Sequence, residues 1–271
     1  MHIRIRPGRG WTALDPRAVW ANRELLYFLI WRDLKVRYAQ TALGAAWAVL
    51  QPLSMMFIFT FIFSLIARMP SEGAPYAIFA YSALLPWNYF STSVATGTNS
   101  LVSHSQFVTK VYFPREILPI TYVVAGLFDF LVASTLLIPL MFYYHVWPTW
   151  QALYAFPIIV VLTCFAMAMS FVFSATQVHI RDIGVAVPLL LQLWMYATPV
   201  IYPLKSVPLR LRTIYELNPM VGVIENFRRV ILHGEAPDHF ALILSAVVSV
   251  ILLVVSYLYF KHIEATMADI I

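Results

Sequence analysis

The sequence predicts an all-α integral membrane protein: six transmembrane helices, an amphipathic interface helix before the first, and re-entrant helices before the last. Three observations carry this. Of the 271 residues, 61% are hydrophobic and 11% are charged, whereas soluble domains hold about 25% charged residues. The apolar residues gather into six runs of roughly 20, the length at which a helix crosses a hydrocarbon core about 30 Å thick. Short polar stretches marked by Pro, Asn, Lys and Arg separate those runs.

The chain starts polar, with Arg4, Arg6, Arg9 and Arg17, and has no apolar core followed by a small-residue cleavage site, so no cleavable signal peptide is expected. Asp15 before Pro16 is an N-cap and first-turn pair. It opens a helix expected to run to about Arg37 along the cytoplasmic interface, setting Trp20, Phe28, Leu29 and Ile30 against Arg23, Arg32, Asp33, Lys35 and Arg37. Residues 1–44 are therefore read as a cytoplasmic N-terminal segment and 45–271 as the transmembrane domain. The spans fall at about 45–67, 76–101, 117–144, 152–176, 183–203 and 240–260. Pro52, Pro86, Pro139, Pro188 and Pro199 are expected to kink or unwind them locally.

Between the second and third spans, residues 107–119 form a charged island. Lys110, Arg115 and Glu116 do not sit cheaply in hydrocarbon, and Pro114 and Pro119 restrict the backbone, so a structured turn at a membrane face is expected. Phe107, Tyr112 and Phe113 add aromatics to that turn, the mark of a docking surface. Before the last span, Asn218-Pro219 starts a helix and Gly234 ends it, with Val223, Phe227, Val230 and Ile231 at helical spacing. The segment is too short for another crossing, which makes 206–235 a re-entrant or interfacial region. Of the 18 Lys and Arg, twelve fall on the side of the N-terminus and six opposite. Both termini are accordingly placed in the cytoplasm.

Several chemistries find no support. No Lys follows a Gly, so there is no phosphate-cradling loop of the usual kind. The 7 His include no i, i+4 pair and no His-Glu-x-x-His run, so no metal site is expected. The net charge of +5 reads as membrane topology rather than nucleic-acid binding. Cys164, the single cysteine, lies in an apolar run and reads as packing. Asp129 lies inside the third span, where a carboxylate must find the bundle interior, a polar partner or water. A hydrogen-bonded structural acid outweighs a proton relay, because no second ionisable group stands out within the spans.

The run Trp31-Arg32-Asp33-Leu34-Lys35-Val36-Arg37-Tyr38, followed by Thr41 to Trp47 and Gln51-Pro52, resembles the entry to the first span of ABC-2 type permeases. Phe113-Pro114-Arg115-Glu116, Arg181-Asp182-Ile183 and Leu217-Asn218-Pro219 with Glu225 and Arg228 match as well, in the right order over nearly the whole chain. The branch it most resembles is the polysaccharide exporters for lipid-linked O antigen, capsule or teichoic acid.

The resemblance implies a non-enzymatic half-transporter of the cytoplasmic membrane. It would pair as a homodimer above two copies of a separate ABC ATPase, which hold ATP and Mg while this chain binds no cofactor. Lys110, Phe113, Pro114, Arg115 and Glu116 would couple to the ATPase. Trp31, Arg32, Asp33, Lys35, Arg37 and Tyr38 would form the interface helix and cytoplasmic gate, and Asn218, Pro219, Glu225 and Arg228 the outer gate. Trp47, Trp87, Tyr89, Phe90, Asp129, Trp194 and Tyr196 are candidates for the conduit; as aromatics, most suit interface belts or core packing equally. The cargo would be a polysaccharide on a polyprenyl pyrophosphate, with membrane lipids around. Two readings of Arg32, Lys35 and Arg37 stay open, anchoring to lipid headgroups alone or contact with the ATPase or a pyrophosphate head. An ABC-2 exporter of a drug or small lipid, a membrane-embedded sugar transferase and a proton-driven carrier stay open as alternatives.

Overall fold

The computed structural model describes residues 16–39, 41 and 43–270, which contain helices and no strand. Asp15 and the arginines at 4, 6 and 9 lie outside the described residues. The described residues open with two helices, α1 (Pro16–Ala21) and α2 (Arg23–Ala39). Next come α3 (Ala46–Phe59), prolonged by a π-helical stretch Thr60–Ile66, and then α4 (Tyr76–Ser103) and the short α5 (Ser105–Lys110). After these follow α6 (Ile117–Ser134), α7 (Leu137–Tyr143), α8 (Ala155–His179) behind a 3-10 turn, and α9 (Ile183–Tyr196). The chain ends with α10 (Leu209–Glu216), α11 (Pro219–Leu232) and α12 (His239–Ile270).

Among the described residues, four stretches are long and apolar enough to cross a membrane: Ala46–Ile66, Ile117–Tyr143, Trp150–His179 and His239–Glu264, with the shorter apolar α9 beside them. The second expected span is α4, 28 residues long and buried nearly all round. Its polar content explains why hydropathy alone does not single it out. Ser82, Ser93, Thr98 and Ser100 are buried among α3, α6, α8, α9 and α11. Small residues let the backbones close in, as at Gly97 over Ser170 of α8 and Gly126 of α6 over Ser93. Larger groups then lock the axis: the Tyr81 hydroxyl donates to the Ala133 carbonyl at 2.8 Å, and Phe90 stacks on Phe165 at 5.0 Å with Trp194 edge-on to both.

The prolines behave in two ways. Pro52, Pro86 and Pro188 lie inside α3, α4 and α9, while the chain breaks between α6 and α7 ahead of Pro139. The fifth apolar run stops being helical at Tyr196, short of the expected 203. Thr198 and Tyr202 each precede a proline, which drives the backbone out of the helical region, and residues 197–202 turn instead.

At one end, Leu29, Val108, Phe113, Ile117, Phe171 and Phe260 join α2, α5, α6, α8 and α12 in a second apolar cluster. At the other, α11 packs on α4, α8 and α12. A Cβ at Gly222 would stand 2.8 Å from the Ala241 carbonyl oxygen and 2.1 Å from Ser245 Oγ. Gly222→Ala is therefore expected to push α11 off α12 and destabilise the chain by about 1–3 kcal/mol. Thermal unfolding in lipid nanodiscs measures this; an unchanged midpoint would mean the contact is slack.

Candidate functional site

The structure divides the charged island into an exposed tip and a buried root. In and after α5, Lys110, Val111 and Tyr112 are exposed, Tyr112 by 85%. Phe113 turns inward, and Glu116 is wholly buried although it directly precedes α6. Its carboxylate accepts from Lys261 Nζ at 2.8 Å and from the Tyr257 hydroxyl at 3.1 Å. Lys261 also bridges to Glu264 at 2.8 Å. The Arg115 backbone N–H donates to the Glu264 carboxylate at 3.1 Å, and its guanidinium donates to the Glu264 carbonyl. Arg115 and Glu116 thus fasten the tip to the end of α12. Of the five expected coupling residues, Lys110 is left facing outward on that tip.

A second cluster forms where α2 runs along α6. The Arg32 guanidinium meets His104 Nε2 at 2.6 Å, and His104 Nδ1 lies 3.0 Å from the Ser100 carbonyl. An arginine only donates, so Nε2 must accept and Nδ1–H must donate, which specifies the neutral imidazole. Burial pushes His104 below its ordinary value of 6.5; the Ser100 carbonyl opposes this and Arg32 adds to it. Further along α2, Arg37 bridges Asp33 at 2.5 Å and reaches Asp129, to which the Tyr38 hydroxyl also donates. Asp129 lies twelve residues into α6, about 18 Å from its start at 1.5 Å per residue. The C-terminal end of α2 therefore climbs along α6 rather than staying level with its base. The partner that the sequence left unnamed for Asp129 is α2, through Arg37 and Tyr38. Burial also lifts the Asp33 carboxyl, an effect that Arg37 beside it opposes. Trp31 and Lys35, on the same helix, face outward.

Beside this cluster is a cavity of about 360 Å³, lined by Arg37, Tyr38, Trp47, Gln51, Asn88 and Asp129 among others. Tyr89 closes part of its wall. The other expected conduit residues go elsewhere. Trp87 and Phe90 are buried and Trp194 packs edge-on in the aromatic core, so they join α4, α8 and α9. Tyr196 is exposed at the end of α9, and its carbonyl accepts from Tyr202.

The third cluster closes the opposite end. Asn218 caps α11 by accepting from Met220 N–H at 3.1 Å, and its amide donates to Thr198 Oγ1 at 3.1 Å. Pro219 fills the first turn. Arg228 is fully buried, over the Phe79 ring at 3.7 Å, and donates to the carbonyls of Pro199 at 2.7 Å and Val200 at 2.5 Å. Glu225 accepts from Leu204 N–H at 3.2 Å and lies 3.4 Å from Arg228. The four residues expected together here do converge, and what they hold is the unwound turn after α9. Tyr76, whose hydroxyl donates to the Ile201 carbonyl at 2.7 Å, belongs with them.

The model of the family described as ABC-2 type transporter matches residues 24–232, which take in all three clusters except the end of α12. The chain belongs to the ABC-2 type transporter family. It is similar to the O-antigen export system permease protein RfbA of Myxococcus xanthus, 35% identical over 88% of this chain and 91% of the relative. A protein of the same name from Klebsiella pneumoniae is 28% identical over 92% of this chain and 95% of its own length. The polysialic acid transport protein KpsM of Escherichia coli is 22% identical over 88% and 93%. This ABC-2 chain is thus a multi-pass membrane permease subunit, and the clusters are parts of a transporter rather than of an enzyme.

The sequence did not mark His104, Asn88, Tyr257, Lys261 or Glu264 in this permease. Only the i, i+3 pair Lys261 and Glu264 at the end of an apolar helix carried a signal, since paired charges there need a partner across the fold.

Glu116→Ala leaves Lys261 short of a buried partner and is expected to destabilise the chain by about 3–5 kcal/mol, loosening the tip. Thermal unfolding and protease cleavage between 104 and 116 would report it, and wild-type behaviour in both would mean the buried network is idle. His104 gives a pH dependence. Because its folded value is lowered, the unfolded chain takes up protons first. The neutral-imidazole contribution is complete above pH 6.5 and is lost as pH falls through the lowered value. The charged and titratable groups facing it are Arg32 and Asp33 of α2 and Tyr122 of α6. The melting temperature should fall more from pH 7.5 to 5 in the wild type than in His104→Gln; parallel slopes would remove His104 as the cause.

Proposed function

We propose that this permease exports a lipid-linked polysaccharide of the O-antigen, capsule or teichoic-acid kind across the cytoplasmic membrane. Two copies pair, each crosses six times with both termini in the cytoplasm, and two separate ABC ATPase subunits drive them. The observation that carries the reading is the likeness over nearly the full length to permeases named for O-antigen export and polysialic acid transport. Geometry supports the parts.

α4 and α9 are the second and fifth crossings, the first made possible by burial of its polar residues and the second short because its end unwinds. The tip at Lys110 and Tyr112 faces the cytoplasm and meets the ATPase, while the root at Arg115 and Glu116 passes its movement to α12. α10 and α11 form the re-entrant outer gate. Positive residues on the outer side disturb the topology rule little, because the protein uses them internally. Lys205 pairs with Glu72 at 3.0 Å, Arg212 donates to the Val207 and Lys205 carbonyls, and Arg229 pairs with Glu235 at 3.1 Å. Coupling is mechanical: ATP-driven motion of the tip shifts α2, α6 and α12 relative to one another and opens a path between the two copies.

The test is reconstitution of the permease with its ATPase in lipid vesicles. Lipid-linked polysaccharide should stimulate hydrolysis and become protected inside inverted vesicles. Stimulation by small amphiphilic drugs but not by the glycan would overturn the cargo. In the same system, Lys110→Glu with Tyr112→Ala should reduce ATPase copurification about tenfold or more without lowering the melting temperature; undiminished copurification would move the docking surface elsewhere.

A further inference from the structure

We propose that the cavity beside Asp129 is a phosphate-exchange site, in which the phosphate at the lipid end of the cargo replaces the Asp129 carboxylate on Arg37 and Tyr38. The inference rests on the cargo being lipid-linked and deepens that reading by naming where its anionic end binds and what holds the site shut without it.

Two carboxylates, Asp33 and Asp129, share the single guanidinium of Arg37. Asp33 lies one turn back on the same helix and holds one nitrogen, so the guanidinium stays aimed when its other partner changes. The other nitrogen and the Tyr38 hydroxyl converge on Asp129, which belongs to a different helix. Donors converging on an oxyanion from one side are what a phosphate oxygen needs, and an arginine fork accepts phosphate and carboxylate alike. Asp129 is thus an internal stand-in for the phosphate.

The cavity supplies the rest. On the α4 wall, the Asn88 amide nitrogen is buried and has no hydrogen-bond partner. Gln51 and Thr92 add polar groups, and Trp47, about half exposed at the mouth, offers a flat apolar ring. A sugar presents hydroxyls to such amides and its apolar face to such a ring. At about 360 Å³ the space is at the low end of the roughly 300–1,000 Å³ of small-molecule sites. It fits a phosphate with an adjoining sugar and not a length of polymer. Because Asp129 is on α6 and its donors are on α2, the exchange also releases one helix from the other. Arrival of the anionic head would thereby free α2 to move, linking the loading of cargo to opening of the path.

The test uses the purified permease in zwitterionic nanodiscs with farnesyl pyrophosphate as probe, and farnesol and inorganic pyrophosphate as comparisons. Farnesyl pyrophosphate should bind to the wild type. Asp129→Asn removes the competing charge and should tighten its binding by about tenfold, while Arg37→Gln should weaken it by about tenfold or more. Asn88→Ala, which leaves the ion pair alone, should weaken it about threefold. Unchanged or weaker binding in a folded Asp129→Asn overturns the exchange, as does unchanged binding in Asn88→Ala if the former fails to fold. Farnesol binding as well as its pyrophosphate excludes a phosphate site. Inorganic pyrophosphate binding as tightly as the lipid would make this a site for a free anion, which also overturns the proposal. Failure here with glycan export intact would remove the site and leave the transport reading standing; failure of glycan export in the wild type would remove that reading.

Discussion

A charged group or an unpaired backbone carbonyl in hydrocarbon costs several kcal/mol, and the fold is arranged around that cost. Each of its three polar clusters meets it by bringing together residues far apart in sequence. Arg228 is buried because the turn after α9 has carbonyls with no helical partner, at Pro199 and Val200, and a guanidinium can serve both at once. The apolar wall of Phe79 against the same cation stops the site from needing water. Remove the unwinding at Pro199 and Pro203, and a buried arginine there has no purpose.

The same constraint shapes the opposite end and the middle. Glu116 is buried only because Lys261 and Tyr257 come to it from α12, so the loop between α4 and α6 is held by the last helix of the chain. Asp129 is tolerated deep along α6 because α2 delivers Arg37 and Tyr38 to it. These attachments differ in kind. The Arg228 guanidinium and the Glu116 carboxylate are themselves fully buried, although Arg228 and Glu225 line a second cavity of about 370 Å³, whereas Arg37 and Asp129 both stay partly exposed beside theirs, and a part-exposed ion pair is the one that another anion can enter. A transporter needs some parts fixed and others exchangeable, and burial draws that distinction here.

The helical elements were readable because their signals are local. Asn218 before Pro219 starts α11 as the side-chain cap requires, and Gly234 follows its end at a φ of +61°. α9 ends at Tyr196 although apolar composition continues to residue 203, because the pre-proline restriction acts on the backbone, which is the local unwinding expected at Pro199. Asn218 and Arg228 meet at the turn after α9 because Asn218 donates to Thr198 and Arg228 donates to the Pro199 and Val200 carbonyls, with Glu225 one turn before Arg228. Lys110 is exposed while Phe113 and Glu116 are buried, because adjacent residues in a loop point in different directions.

By itself, the sequence determined that the chain is helical, that it is built for a membrane, where α11 begins, and which family it resembles. The first two follow from composition and hydrophobic runs, the third from the Asn218-Pro219 cap, and the last from the likeness of its short motifs to those of ABC-2 permeases. The tertiary structure alone decided that α4 is the buried axis, that Glu116 is a root and Tyr112 a tip, and that Arg37 and Asp129 meet. Those contacts join residues separated by as many as 145 positions. They depend on which helix faces which, and packing sets that, while local pattern does not.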